Sequence, residues 1–281
     1  MILDYREYVT EKASKGLVNY ISRETNSSLF DHKAICPYCK TKIENVVYTK
    51  SVREYPDWLY GSFDQSENVV QCQICGWWEY KYSNQSDAIL DGIRASDVEY
   101  ASAKLRTFDN ASVEVPLEVL RTYLLKKPEL IYEIDAHKME DLVRSVFKDF
   151  FPECEVSHFG KTRDGGRDGL LIDSEGNQTL LQVKRRTKAD ATEGVVALRE
   201  LMGVAILEDN LKGCIFVSTA DHFSKDAETY AKNVLNKNII EKFELVNCDE
   251  FLSRLKLVQK NVPQEWKKLI RLDNGKVLGE P

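Results

Sequence analysis

The sequence has no apolar run approaching the ~20 residues that a membrane-crossing helix needs. Its opening, Met1-Ile2-Leu3-Asp4-Tyr5-Arg6, is charged early and lacks the apolar core of a secretory signal. A soluble cytoplasmic protein with no membrane partner is expected. There is no excess of positive charge either: 39 Lys and Arg face 45 Asp and Glu, a net charge of −6. That excludes a general, histone-like coating of nucleic acid, though local charge still governs any phosphate contact. No internal repeat and no helix with a base-reading code are present. Cysteine is sparse. Three of the seven, Cys154, Cys214 and Cys248, stand alone with no base at a diagnostic spacing, which argues against a cysteine nucleophile. Cys214 lies in an apolar run, where buried packing is the default.

The other four cysteines are paired. Cys36-Pro37-Tyr38-Cys39 and Cys72-Gln73-Ile74-Cys75-Gly76 are separated by 32 residues. Two CxxC pairs offer four thiolates to one zinc, each on a tight knuckle that Pro37 and Gly76 suit. Four thiolates leave no open position, so the zinc is structural. Zinc is preferred to disulfides here. Strand-like pieces at 45–49 and 68–71 complete a zinc-ribbon-like module over residues 1–82. His32 is not needed as a ligand. The region is rich in aromatics, among them Tyr48, Tyr55, Trp58, Tyr60, Trp77, Trp78 and Tyr80. Most are expected to pack so small a module, with stacking on bases or a partner as the other use.

At 281 residues and 43% hydrophobic content, the chain can form one large or two modest domains. Within 1–30, Leu3, Tyr5, Tyr8 and Val9 suggest a short helix, and 22–28 a loop. Ile89, Leu90, Ile93, Val98 and Leu105 predict a helix over 83–110. A short helix follows Pro116, and another short piece follows Pro128. Residues 83–130 therefore read as a helical connector. From 137 to 151, Met139, Leu142, Val143, Val146, Phe147 and Phe150 recur at helical spacing, with Glu140 at the edge of the stripe. A strand at 155–159, a hairpin, a helix at 192–207, a strand at 213–219, a helix at 224–235, a strand at 243–246 and an Asp249-capped helix follow. This order gives an α/β domain over 131–258 with a mixed central sheet flanked by helices. Residues 259–281 form a tail that Trp266 docks.

The chemistry gathers at 160–188. Asp164-Gly165-Gly166 is a turn, Asp168 opens the run Leu170-Leu171-Ile172, and a second turn at 174–177 leads into 179–184. Folding about Glu175 and Gly176 puts position 168 opposite 183, or one residue off. Asp168, Gln182 and Lys184 then cluster at one end of two paired strands. A carboxylate, an amide oxygen and an ammonium together suit a divalent metal and a phosphate ester.

These pieces, Asp164-Gly165-Gly166-Arg167-Asp168-Gly169 and Gln182-Val183-Lys184, with Glu140 on the preceding helix, resemble the core of the Mrr-type restriction endonucleases of the PD-(D/E)XK superfamily. The resemblance runs over roughly 134–255. Arg167 stands where the superfamily name puts a proline, and Gln182 replaces an acid, leaving one charge fewer for a metal. The resemblance implies a restriction-endonuclease-like fold, a metal-dependent DNA endonuclease and a role in defence against foreign or modified DNA. It implies catalytic roles for Glu140, Asp168, Gln182 and Lys184. A Mg²⁺ would take Asp168, the side-chain oxygen of Gln182 and the backbone carbonyl of Val183, with Lys184 beside the phosphate. Lys161, Arg163, Arg167, Arg185, Arg186 and Lys188 crowd the hairpin and are the expected phosphate contacts. DNA is the expected partner. RNA stays open, because the site residues see mainly the phosphodiester, and a homodimer would allow both strands to be cut. Two other readings remain: a nuclease fold that binds nucleic acid without cutting, and a zinc-ribbon interaction scaffold.

Overall fold

Alternation and turn chemistry, more than helix periodicity, shape the first third of this chain. The structure, a computed structural model, describes residues 1–15, 35–43, 46–55, 61–88, 93–157, 167–208, 210–260, 264–273 and 276–277. The loop expected at 22–28, His32, Trp58, Tyr60, Ile89, Leu90, Phe159, Lys161, Arg163 and the turn Asp164-Gly165-Gly166 lie outside these residues. The chain divides into two compact units. One comprises Met1–Ile2 and Phe108–Asn261; the other comprises Leu3–Thr107 and Val262–Pro281.

The second unit is a five-stranded sheet. Its strands are β1 (Ile2–Lys15), β2 (Val46–Glu54), β3 (Gly61–Gln71), β4 (Trp78–Ala88) and β5 (Ile93–Phe108), in the order β1-β5-β4-β3-β2. β2 to β5 form an antiparallel meander, with Val46 opposite Val70, Gln71 opposite Trp78 and Glu79 opposite Ser102. Two expectations are overturned here. The short helix near the N-terminus is strand β1, and the helix over 83–110 is the end of β4 and the whole of β5. The helical part of the supposed connector begins only after Pro116. From 99 to 103 in β5 the buried residues are Glu99, Ala101 and Ala103, a period of two, with Phe108 buried at the strand's end. Small and charged residues carry that alternation, so the scattered large apolar residues mimicked a helical stripe.

Burial in this unit is aromatic and, unusually, carboxylate. Trp77, Trp78 and Tyr80 are buried, and Tyr5 and Tyr8 lie against Trp78 at ring separations of 6.4 and 5.9 Å. Tyr55 is exposed. Glu67 in β3 is fully buried. Its Oε1 accepts from Tyr80 Oη at 2.8 Å and from the Arg271 N–H at 2.7 Å, and its Oε2 accepts from the Leu272 N–H at 2.9 Å. A buried carboxylate is tolerated when donors surround it in this way. Trp266 is buried too, and its indole N–H donates to Gln71 Oε1 at 3.3 Å. The tail therefore docks through Trp266, as its sequence suggests, and is clasped by Glu67.

The first unit carries α1 (Leu117–Lys126), a 3-10 turn at Pro128–Tyr132, α2 (Ala136–Phe150), β6 (Glu155–Ser157), β7 (Gly169–Ile172) and β8 (Gln178–Lys184). Then come β9 (Thr192–Glu193), α3 (Val195–Ala205), β10 (Leu211–Ser218), β11 (His222–Phe223), α4 (Lys225–Asn236), β12 (Lys242–Val246) and α5 (Cys248–Leu257). The main sheet has the order β12-β10-β8-β7-β6. β6, β7 and β8 pair antiparallel, whereas β8, β10 and β12 pair parallel. Parallel neighbours need crossovers, and α3 and α4 supply them. The expected mixed α/β domain is present. Leu170, Leu180, Cys214 and Phe216 bury against Leu198, Leu201 and Met202 of α3 and Ala227 and Ala231 of α4. Burial pushes the Cys214 thiol up to about 12, which keeps it inert.

Two boundaries moved for identifiable reasons. The helix expected from 192 starts at Val195, because Thr192 and Glu193 pair with His222 and Phe223. The cap of α5 is Asn247 rather than Asp249: Asn247 and Glu250 exchange side-chain-to-backbone bonds as a capping box. Among the described residues, no helix is long and apolar enough to cross a membrane.

Candidate active site

The turn between β7 and β8 sets the register of the site. Asp173 Oδ1 accepts the N–H groups of Glu175 and Asn177, both at 2.9 Å, and Oδ2 accepts from Asn177 Nδ2 at 2.9 Å. Gly176 occupies the left-handed region at φ +80°, where only glycine sits without strain. The ladder runs Ile172 to Gln178, Leu171 to Thr179, Leu170 to Leu180 and Gly169 to Leu181. The register is one residue off a fold about Glu175 and Gly176, because the Asp173 turn centres the hairpin on Glu175.

Asp168 still meets Val183. The Val183 N–H donates to Asp168 Oδ2 at 2.6 Å, and the Asp168 N–H donates to the Leu181 carbonyl at 3.1 Å. The strand end thus holds the carboxylate. On β8, alternation puts Gln182 and Lys184 on the face of Leu180. Gln182 is buried, yet its Oε1 has no hydrogen-bond partner among the described residues. Burying such an oxygen without a partner costs about 1–3 kcal/mol. Lys184 is half-buried at the end of the strand.

Helix α2 comes alongside through Arg144. The helix is capped by Asp135, which accepts the His137 and Lys138 N–H groups at 2.9 and 3.2 Å. Arg144 Nη1 donates to the Asp168 carbonyl at 2.7 Å, and Nη2 pairs with Asp141. A side chain at Gly169 would put its Cβ 3.3 Å from Arg144 Cγ and 3.4 Å from Leu181 Cδ2, so glycine permits this approach. Glu140 lies one turn before Arg144, on the same side of the helix. It is partly buried, with His137 Nδ1 3.5 Å from its Oε2. Arg144 was not singled out by sequence; its i+4 spacing from Glu140 was the available signal.

The expected phosphate contacts divide. Arg167 pairs with Glu208. Arg185 Nη1 donates to the Tyr132 carbonyl at 2.9 Å. Arg186 Nε donates to Glu193 Oε2 at 2.9 Å, and a second guanidinium N–H reaches Oε1. Lys188 is exposed. Glu193, Ser218 and Thr219, all buried beside Lys184, also escaped sequence reading, since a lone acid before a helix carries no pattern.

Two metal environments can be tested against these residues. Asp168, Glu140 and the unpartnered Gln182 Oε1 are hard oxygen donors of the kind Mg²⁺ takes, so the donor set fits. The cysteines fit zinc. All four Sγ atoms lie within 4.8 Å of one another, with Cys36 to Cys75 and Cys39 to Cys72 each at 3.4 Å. Zn–S bonds of about 2.3 Å put tetrahedral sulfurs about 3.8 Å apart. The two knuckles match bond for bond. Lys40 N–H donates to the Cys36 carbonyl and Gly76 N–H to the Cys72 carbonyl, both at 3.0 Å. Both donors are left-handed, at φ 58° and 74°. Hydrogen bonds from Cys36 and Cys75 pull the Cys72 thiol well below its ordinary range.

Comparison with known proteins agrees with this domain. Residues 131–255 match the family model Mrr_cat, described as restriction endonuclease. That part of the chain is similar to restriction-endonuclease domains. Two solved structures were also found. "Structure of restriction endonuclease FokI" has a TM-score of 0.34 and 11% identity, over 63% of this chain and 37% of that one. "Structure of restriction endonuclease FokI bound to DNA" has a TM-score of 0.30 and 10% identity, over 58% and 31%. The chain thus spans about a third of the length of those structures. No curated protein matches.

Proposed function

We propose that the chain is a metal-dependent DNA endonuclease acting through Glu140, Asp168, Gln182 and Lys184, with residues 131–258 as the working domain. The observation that carries this reading is the buried, unpartnered Gln182 Oε1 on the strand whose Val183 N–H holds Asp168. A buried, unpaired oxygen calls for an explanation, and beside a carboxylate a bound cation supplies one.

Asp168, Gln182 and Glu140 would hold the cation, with the Val183 carbonyl as a further donor. When bound, Mg²⁺ supplies charge neutralisation at the phosphoryl oxygen and acidifies a coordinated water. Arg144, through the Asp168 carbonyl, fixes the backbone from which that carboxylate projects. Lys184 would face the scissile phosphate and offset charge as it builds. Lys188, exposed next to this strand end, would meet the DNA backbone; Lys161 and Arg163 are proposed for the same contact. A role in defence against foreign or modified DNA is part of the proposal.

Supercoiled-plasmid nicking tests it. Cleavage with Mg²⁺, none with EDTA, and none with Asp168→Ala or Lys184→Ala is the expected result, tried on methylated and unmethylated plasmids. DNA binding that falls with salt but no cleavage on any plasmid would instead favour a binding module. Absence of any DNA affinity at low salt would leave the scaffold reading.

A further inference from the structure

Beyond Lys184 the strand β8 does not simply fray. Its neighbour β10 ends in register with it, with Ser218 opposite Lys184. The Thr219 N–H donates to the Lys184 carbonyl at 3.2 Å. Ser218 Oγ lies 3.3 Å from the same carbonyl. Two residues on, Thr219 Oγ1 accepts the Arg186 N–H at 2.6 Å and donates to the Arg186 carbonyl at 2.9 Å. The backbone on both sides of Arg185 is therefore pinned by one Ser-Thr pair.

That pair is in turn held by a carboxylate. Glu193 is wholly buried, and Ser218 Oγ donates to its Oε2 at 2.8 Å. Arg186 closes the circuit, with Nε donating to Oε2 at 2.9 Å and Nη2 to Oε1. Glu193 is fixed by its own strand, because β9 pairs with β11 immediately after the Ser218-Thr219 end of β10. The Ser224 N–H also donates to the Glu193 carbonyl at 2.9 Å. A buried carboxylate with a guanidinium donor on each oxygen and a hydroxyl on one is a rigid fixture.

We infer that Glu193, with Arg186, Ser218 and Thr219, is a positioning unit that sets the backbone of Lys184 for the cleavage step. Arg186, only partly buried, is accordingly committed to Glu193, and its guanidinium is not a phosphate contact. This rests on the proposed nuclease function. It adds to it a carboxylate that touches neither substrate nor metal.

The test uses Glu193→Gln and Ser218→Ala in the full chain, with single-turnover cleavage, DNA binding against salt, and amide hydrogen exchange. Both variants are expected to slow the cleavage step at least tenfold while the DNA Kd and its salt slope stay as in wild type. Arg186→Lys, which keeps a cation for Glu193, is expected to retain more of the rate than Arg186→Ala, again with an unchanged salt slope. By contrast, Lys188→Ala is expected to weaken Kd and lower the salt slope by about one. In Glu193→Gln the Arg186 and Thr219 amides should lose exchange protection while the Val183 amide, held by Asp168, keeps its own. A salt slope that falls in Arg186→Ala, or full-rate cleavage by Glu193→Gln, overturns the inference. If wild type cuts no DNA, the nuclease reading fails by itself. The exchange pattern then decides the inference: unchanged protection at Arg186 and Thr219 overturns it, and selective loss upholds the clamp on Lys184. Should Glu193→Gln fail to fold, Ser218→Ala, which removes no charge, carries the same readings.

Discussion

Gln182 is the residue at which stability and the proposed function pull apart. Its dry, unpaired oxygen costs free energy in the folded chain. Gln182→Met, close in volume and without that oxygen, is expected to leave the unfolding midpoint unchanged or raise it, the stability shift staying within about 1.5 kcal/mol. It should also abolish cleavage. A thermal melt and a nicking assay on one preparation check both, and a variant that is much less stable yet still active would remove Gln182 from the site. The hairpin that brings Asp168 to the strand of Gln182 and Lys184 was legible, because the turn at 174–177 lies midway between them. What sequence could not reveal was which cations are free. Arg167 and Arg186 look like Lys188 in a string of letters, but each is tied to an acid that the fold brings to it, Glu208 41 residues on and Glu193 7 residues on.

Elements in the helical unit are tied together by ion pairs whose titration has a definite sign. Arg121 of α1 is buried and donates to Asp149 of α2 at 2.7 Å, to Ser145 at 3.2 Å and to the Val258 carbonyl past α5 at 3.2 Å. Removing it takes a buried donor from all three and leaves Asp149 with Lys260 alone, so Arg121→Ala should cost about 3 kcal/mol in a denaturant titration. Burial alone would raise the Asp149 carboxyl, but hydrogen bonds from Arg121 and Lys260 outweigh it and hold it below its ordinary value. Glu244 is held down likewise, against burial, by Arg254 and Lys242. Groups with lowered native values contribute stability above the unfolded carboxylate value of about 4 and lose it as pH falls through the lowered ones. Denaturation midpoints should therefore drop below about pH 4, and Asp149→Asn should flatten that limb. At this scale sequence reading did well where apolar stripes were wide, as in α2 and β10. It failed in β4 and β5, where the buried positions include Glu79, Ser83, Glu99, Ala101 and Ala103 beside Trp78, Tyr80 and Phe108, and no hydrophobic period stands out.

For the whole molecule, the division into two units predicts two separable responses. Metal analysis is expected to find about one zinc per chain, and folded protein without zinc would rule out the four-thiolate site. Cys72→Ser should loosen the unit containing residues 3–107 while residues 108–261 stay folded. Limited proteolysis followed by mass analysis reads this directly; cleavage spread equally through both units would count against their independence. Acid should release the zinc, since each thiolate takes a proton as the metal leaves.

The Glu67 clasp has a consequence for how the chain is made. Its partner Leu272 lies 205 residues further along. As the protein emerges from the ribosome, the sheet of β1 to β5 appears first and the whole helical unit after it. Only then do the N–H groups of Arg271 and Leu272 arrive. Until that moment the carboxylate at Glu67 has Tyr80 but not its two backbone donors, so the sheet is completed only after the helical unit that follows it has been made.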